Sequence, residues 1–445
     1  MAKKRTGSRR AALRLSWQYW QQQALRLTAG GRWTDRLQPS IRQNLRRFWF
    51  AGVFASASNS IVIAYLSLFV LALGATRAQI GLMSSLSSLS AALLLLPGAS
   101  IVERWGRRKQ IVVLNNGGVA RIVLLLLALV PLAFSGSTAI TIVIALAIIR
   151  SAFIYLGVPA WTSLTADIVP LKWRGRYFSA RNMGMGTVGM VMTFLVGQLI
   201  TRVGAPVGYQ VALGVAFVTG MASTFSFARL EEESLASTTP QTTARSSRAS
   251  LLRHLRAHPE FLFFCATAAL WNFSLNVAGP FFNVYLVESL KASASVVGAL
   301  SVLTPLAALP AQRLLGPLAD RWGPRRVQAF TGLLIPLLPL GWVLTRSPWH
   351  VVPINLAAGF LWAGYNLANF NLLLALTPED RRPRYSALYQ IVVMAGLAGG
   401  AALGGVIAER WGYATIFVLS GGGRFVAALL FARFIRQPVV STGRE

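Results

Sequence analysis

The 445-residue chain reads as an all-α membrane protein, with twelve transmembrane helices in two pseudo-symmetric six-helix bundles. Composition, run length and an internal repetition all point that way. The residues are 54% hydrophobic and only 13% charged, where a soluble domain carries about 25% charged residues. The apolar residues gather in runs that match the roughly 20 residues a helix needs to cross a hydrocarbon slab. A phrase also occurs twice, as ASIVERWGRRK at 99–109 and GPLADRWGPRR at 316–326.

In chain order, apolar runs near 49–73, 78–102, 111–134, 138–165, 178–201 and 207–229 form six spans. Each should be helical, because hydrocarbon offers no partner to an unpaired backbone group. EEESLASTTPQTTARSSRAS at 231–250, rich in Ser, Thr and charge, reads as a linker. Runs near 261–287, 294–318, 327–345, 350–376, 386–408 and 413–434 supply six more. The expected plan is a basic segment over 1–47, a bundle over 48–230, a linker over 231–258, a second bundle over 259–435 and a tail over 436–445. Within the first segment, Leu13, Trp17, Trp20, Ala24 and Leu27 share a helical face. That face suits an amphipathic helix on an anionic lipid leaflet. A disordered basic tail is the other reading.

The formal charge of +30 comes from 43 Lys and Arg against 13 Asp and Glu. The cations recur in alternate loops: Arg104, Arg107, Arg108 and Lys109, then Lys172, Arg174 and Arg176, then Arg321, Arg325 and Arg326, then Arg381, Arg382 and Arg384. The intervening loops hold single cations such as Arg77, Lys291 and Arg346. This is the pattern of a multi-pass protein of the cytoplasmic (inner) membrane with both termini in the cytoplasm. It argues against a nucleic-acid partner; anionic lipids and a small-molecule solute are expected instead. The sole cysteine, Cys265, lies in an apolar run, so no disulfide forms within the chain. The polar start MAKKRTGSRR gives no expectation of a cleavable signal. With no nucleotide motif, metal cluster or nucleophile constellation, the expectation is a monomeric non-enzyme without cofactor or metal.

The repetition extends well beyond the two loops. Glu103 and Asp320, Gly106 and Gly323, Gly81 and Gly298, and Asn59 and Asn276 are each 217 apart. Pro170, Arg176 and Tyr177 match Pro378, Arg384 and Tyr385 at an offset of 208. Six helices are followed by six more in the same order. GPLADRWGPRR resembles the loop between the second and third helices of each half in the major facilitator superfamily; the first copy has Ala99 and Glu103 where that signature has Gly and Asp. The resemblance in architecture covers about 45–435. It implies two bundles that rock about a central site in alternating access, moving a small organic solute.

The same resemblance assigns a cytoplasmic gate to Glu103, Arg104, Gly106, Arg107 and Arg108, and to Gly316, Asp320, Arg321, Gly323, Arg325 and Arg326. The acids can bind basic side chains or helix ends. The glycines permit a tight turn. Asp167, Arg174, Arg176, Arg382 and Arg384 would complete the gate. The plainer alternatives are that these charges only fix topology, or that they pair locally.

No Asp, Glu or His falls near the bilayer centre, but Arg121, Arg150 and Arg424 do. A charge at that depth is a functional candidate. Arg150 lies on the fourth helix, which lines the cavity in the resembled family. Arg121 and Arg424 lie on helices that family places outside the cavity, so they read as structural. Leu146-x-x-x-Arg150 also resembles an arginine motif of drug/proton antiporters, with Ile154 where that motif has glycine. Arg150, Trp161, Asn59, Asn272, Asn276, Trp362 and Asn366 form the expected substrate site, the competing reading being glue between helices. The excess positive charge favours an anionic solute. Export of amphipathic drug-like compounds is the alternative, and a non-transporting scaffold or sensor is the reading from another class.

Overall fold

The computed structural model describes residues 37–231, 259–377 and 382–435. The stretch 13–27, most of the expected linker and the tail lie outside them. Six helices come first: α1 (Pro39–Ala72), α2 (Arg77–Trp105), α3 (Arg108–Ala133), α4 (Gly136–Ile168), α5 (Arg174–Val203) and α6 (Val207–Ala228). Next come α7 (Pro259–Glu288), α8 (Ala294–Trp322), α9 (Pro324–Val343) and α10 (Pro348–Ala375). The last run, Arg382–Phe434, is 53 residues long. As one rod it would reach about 80 Å, far more than the roughly 30 Å of a hydrocarbon core. It leaves helical geometry at Gly412 (φ 79°, ψ −179°). Its arms, 382–411 (α11) and 413–434 (α12), both return to one stretch of α7, Gly404 against Val277 and Gly423 against Ser274. With this run split in two, the described residues hold twelve helices long enough to cross a membrane.

Local chemistry sets the helix ends. α1 starts with proline at its first position, and α2 with a reciprocal cap in which Thr76 Oγ1 accepts from the Gln79 N–H and Gln79 Oε1 from the Thr76 N–H. α1 begins at Pro39 rather than at 49. Its polar first turns continue the helix below the apolar run and carry Arg42, Arg46 and Arg47, which need no hydrocarbon around them. Gly106 and Gly323 turn the chain with φ of 62° and 81°, as their repeat positions suggested.

Core packing shows how the halves meet. Call the end that carries the basic loops the basic end. Away from it, one hydrophobic core runs through both halves and includes Tyr65, Leu68 and Ile200 together with Val277, Phe281 and Phe417. Toward the basic end the core divides. Leu45, Phe48 and Tyr177 belong to the first half, and Phe261, Phe264 and Tyr385 to the second. Tyr177 and Tyr385, matched by the repeat, are both almost wholly buried.

The contacts that join the halves gather at the far end. Gly81 of α2 packs so tightly on Gly405 of α11 that a Cβ at 81 would lie 2.6 Å from the Gly405 Cα. The repeat supplies the mirror contact, in which a Cβ at Gly197 of α5 would lie 2.6 Å from the Ala294 carbonyl and one at Gly298 of α8 would lie 2.9 Å from the Thr193 carbonyl. Arg77 then crosses between halves. It donates to Glu288 (Nη2 to Oε1, 2.6 Å) and to the Ala408 carbonyl (3.0 Å), and its guanidinium lies 4.4 Å from the Tyr413 ring centre. The Arg77 N–H donates to Glu409 (2.9 Å), and the Tyr413 hydroxyl donates to Glu288. At the other end, Leu93, Leu96, Met183 and Leu314 are exposed. The two bundles meet at the far end and part at the basic end.

Gly81→Leu should prise the far end open. Overpacking of this kind costs about 1–3 kcal/mol, enough to shift a two-state balance about fivefold or more. Cysteine pairs placed across α2 and α11 should crosslink less; undiminished crosslinking would show that the glycine contact does not hold the halves. Glu288→Gln should have a milder effect, on the order of 1 kcal/mol, because the pair is partly exposed (28% and 34%). The readout is faster labelling of a cysteine at Ser67 by an impermeant reagent supplied from the far side.

Candidate functional site

Three arginines of the first half are driven together by one requirement: a guanidinium inside an apolar slab must find partners. Arg121 sits midway along α3 and is 7% exposed. Its Nη1 donates to Ser58 Oγ (2.8 Å) and Asn59 Oδ1 (3.4 Å). Arg150 sits midway along α4, and its Nη2 donates to the same Asn59 oxygen (3.2 Å). One neutral carbonyl thus serves two cations. The Nε groups of both arginines are buried without a hydrogen-bond partner among the described residues. Arg181 of α5 is 5% exposed, lies 4.3 Å from the Phe48 ring centre and donates Nε to the Phe48 carbonyl (3.4 Å).

Asn59 borders two cavities. The first, about 340 Å³, is lined among others by Arg121, Arg181, Asn116, Asn182 and Trp161. Asn116 enters it from a π-helical turn of α3, Val113–Val119. Such turns occur often at functional sites. Gly157 makes room, since a Cβ there would stand 2.1 Å from Asn116 Oδ1, an oxygen that is itself buried without a partner among the described residues. The second cavity, about 500 Å³, lies between the halves and is lined by Arg150, Ser84, Ser87, Tyr155, Asn276 and others. Among the described residues, no carboxylate lines either cavity. At an effective dielectric near 20, two like charges a few ångströms apart repel by on the order of 3 kcal/mol. The arrangement is therefore built to accept negative charge.

Of the residues expected at the site, Asn59, Arg150 and Asn276 border the inter-half cavity and Trp161 the other. Asn276 also donates to the Leu397 carbonyl (2.7 Å). Asn272 donates to the Ala268 carbonyl of its own helix (2.8 Å). Trp362 packs on Trp271 and Tyr365, and Asn366 is exposed; none of these three lines either cavity. Arg121, expected outside, lines the first cavity. Arg424 is bound within its bundle, to Ser420 Oγ (2.8 Å) and the Leu275 carbonyl (3.4 Å). Arg181 and Asn116 were missed; Arg181 falls in a polar helix start, and the Asn115-Asn116 pair inside an apolar run was the available signal.

Arg108, Arg174 and Arg325 of the basic loops make hydrogen bonds within their own halves. Arg108 pairs with Asp167 (2.6 Å) and Ser163 (2.7 Å), both on α4. Arg174 donates to the Val169 carbonyl (3.0 Å), and Arg176 lies 5.2 Å from the Trp173 ring centre. Arg325 donates to the Ala432 and Ile435 carbonyls. Glu103, Arg104, Gly106, Arg107, Arg321 and Arg326 are exposed. Gly316 and Asp320 lie on α8 and Arg382 and Arg384 on α11, and the side chains of the last three lie outside the description.

Known proteins place this architecture. The chain is 27% identical over 177 residues to the multi-drug resistance efflux pump PmrA of Streptococcus pneumoniae, a match covering 39% of this chain and 44% of that one. It is 24% identical to the multidrug resistance protein MdtG of Dickeya zeae, over 85% of this chain and 91% of that one. It is 25% identical to the cis,cis-muconate transport protein of Acinetobacter baylyi, over 62% and 68%. Among solved structures, a bacterial homologue of the iron transporter ferroportin, in its inward-facing state, shares the fold with a TM-score of 0.70 at 14% identity, over 89% of this chain and all of that one. The inward-open xylose transporter XylE from E. coli does so with 0.65 at 14%, over 89% and 97%. The profile of the MFS_1 like family matches residues 44–419, and the chain belongs to that family.

Proposed function

We propose that this protein is a secondary transporter that carries a small organic anion across the cytoplasmic (inner) membrane by alternating access. The observation that carries the reading is the pair Arg121 and Arg150 sharing Asn59 in the membrane interior, with no carboxylate among the described residues in either adjoining cavity. The basic loops mark the cytoplasmic side and put both termini there, so the conformer described opens inward. The basic-end residues, with Asp320, Arg382 and Arg384 among them, are proposed to bridge the halves when that side closes. The name of the muconate relative supports an anionic cargo. Those of PmrA and MdtG favour a second reading, export of amphipathic compounds, which the aromatic wall at Trp161 would suit.

The test combines thermal shift and proteoliposome flux on the purified protein, with a panel of mono- and dicarboxylates including cis,cis-muconate, and of cationic and neutral amphiphiles. A ligand that binds the folded state raises its melting temperature by mass action. Carboxylates should stabilise the wild type, and Arg150→Gln should remove that shift. Asn59→Asp is the sharper variant. It places a fixed carboxylate between the two guanidiniums, so it should hold or raise stability in buffer while abolishing anion binding and flux. Stabilisation by cationic or neutral amphiphiles alone, unaffected by Asn59→Asp, would overturn the anion reading in favour of export. Absence of flux for every compound would favour the scaffold.

A further inference from the structure

The first bundle carries a second cationic recess, on its outer flank at the basic end. The start of α1 and the end of α6 are tied there. Asn44 and Glu231 exchange two hydrogen bonds (2.8 and 3.0 Å), and Arg47 pairs with Glu231 (2.8 Å). Beside this tie lies a recess of about 380 Å³, lined by Gln43, Arg46, Arg47, Phe50, Ser226 and Arg229. Arg229 lies 3.9 Å from the Phe225 ring centre and Arg46 5.7 Å from that of Phe50. A guanidinium placed over a ring keeps its in-plane N–H donors free, the geometry that suits a phosphate. Arg46 and Arg229 are both exposed, and no carboxylate among the described residues lines the recess.

One step deeper into the membrane the surface changes character. Val218, Met221 and Phe225 form an exposed apolar stripe on α6, and Phe50 stacks on Phe54 along α1. Cations at the boundary continued by an apolar stripe match a molecule with an anionic head and hydrocarbon tails. A soluble phosphate would use only the first part. We propose that the α1–α6 recess is a binding site for a phospholipid with an anionic phosphate headgroup, seated in the leaflet at the basic end. The inference rests on the membrane reading and not on the identity of the solute.

The test uses the full-length protein, first delipidated in detergent and then titrated with phosphatidylglycerol or phosphatidylcholine. Native mass spectrometry counts retained lipid, and thermal shift follows stability. The variant Arg46→Ala/Arg229→Ala leaves the Arg47–Glu231 tie intact and alters only exposed side chains. Wild type should retain phosphatidylglycerol in preference to phosphatidylcholine, and the variant should lose on the order of tenfold of that preference with an unchanged melting temperature in phosphatidylcholine. Equal retention of the two lipids by wild type, or an undiminished preference in the variant, would overturn the site. So would a shift from inorganic phosphate equal to that from phosphatidylglycerol, which would mark a soluble anion as the ligand.

Discussion

A guanidinium left without partners in hydrocarbon costs too much for a fold to carry, and the interior of this protein is arranged around that fact. Four buried or half-buried arginines meet the constraint to different degrees. Arg424 has a hydroxyl and a carbonyl from its own bundle, and Arg181 a carbonyl and a ring. Arg121 has Ser58 in full and Asn59 at longer range, and among the described residues Arg150 has Asn59 alone. The order runs from a side chain that fastens helices to one that still has donors to offer. Helix packing follows the same lines. Ser58, which serves Arg121, also donates to the Ala216 carbonyl and so joins α1 to α6, while Ser420, which serves Arg424, donates to the Ser274 carbonyl and joins α12 to α7. The arginines are buttressed by the hydroxyls that hold each bundle together.

The repeat explains the scaffold, and its breaks mark the site. Gly81 with Gly405 and Gly298 with Gly197 are one contact used twice, at the two places where a helix of one half crosses a helix of the other. Gly106 and Gly323 are one turn used twice. The mid-membrane arginines Arg121 and Arg150 are not repeated. At the offsets of 217 and 208, Arg121 and Arg150 fall opposite Leu338 and Ala358. In the second bundle the corresponding interior is packed with Trp271, Trp362 and Tyr365. The duplicated frame thus carries two cavity-lining arginines near mid-membrane in its first half, whereas the buried arginine of the second half, Arg424, is tied to its own bundle.

The sequence made the frame legible because its signals are redundant. Twelve apolar runs, alternating basic loops and a repeat constrain one another. Arg150, Asn59 and Asn276 could be named for the same kind of reason, as polar residues where hydrocarbon forbids idle ones. What escaped is what depends on rotation about a helix axis. Asn272 and Asn276 are one turn apart, yet the first turns back to its own helix and the second reaches a neighbour. Asn116 reaches the cavity from within a π-helical turn, whose phase a regular helical periodicity does not describe. Arg77, Glu288, Glu409 and Tyr413 looked like scattered residues at helix ends; only the folded chain brings α2, α7, α11 and α12 to one corner. The sequence suggests a bridge between halves at the basic loops, and in this conformer Arg108 pairs with Asp167 and Arg325 with the end of α12, each within its own half.

These features supply a rule for movement if the solute is an anion. Closing the basic end would exclude water from cavities that hold cations, and the repulsion between Arg121 and Arg150, modest while solvent screens it, would grow as the local dielectric falls. An empty carrier would therefore resist occlusion. A bound carboxylate would reverse the sign of that contribution, because it accepts from the free donors of both arginines at once. The closure at the far end is well matched to such a control. It consists of one partly exposed ion-pair cluster and two glycine crossings, strong enough to define a conformer and weak enough to yield to a difference of a few kcal/mol between loaded and empty states. On this argument the coupling between binding and movement needs no dedicated relay of side chains from centre to rim, since the charge that makes the site selective is the same charge that makes the empty closed state unfavourable.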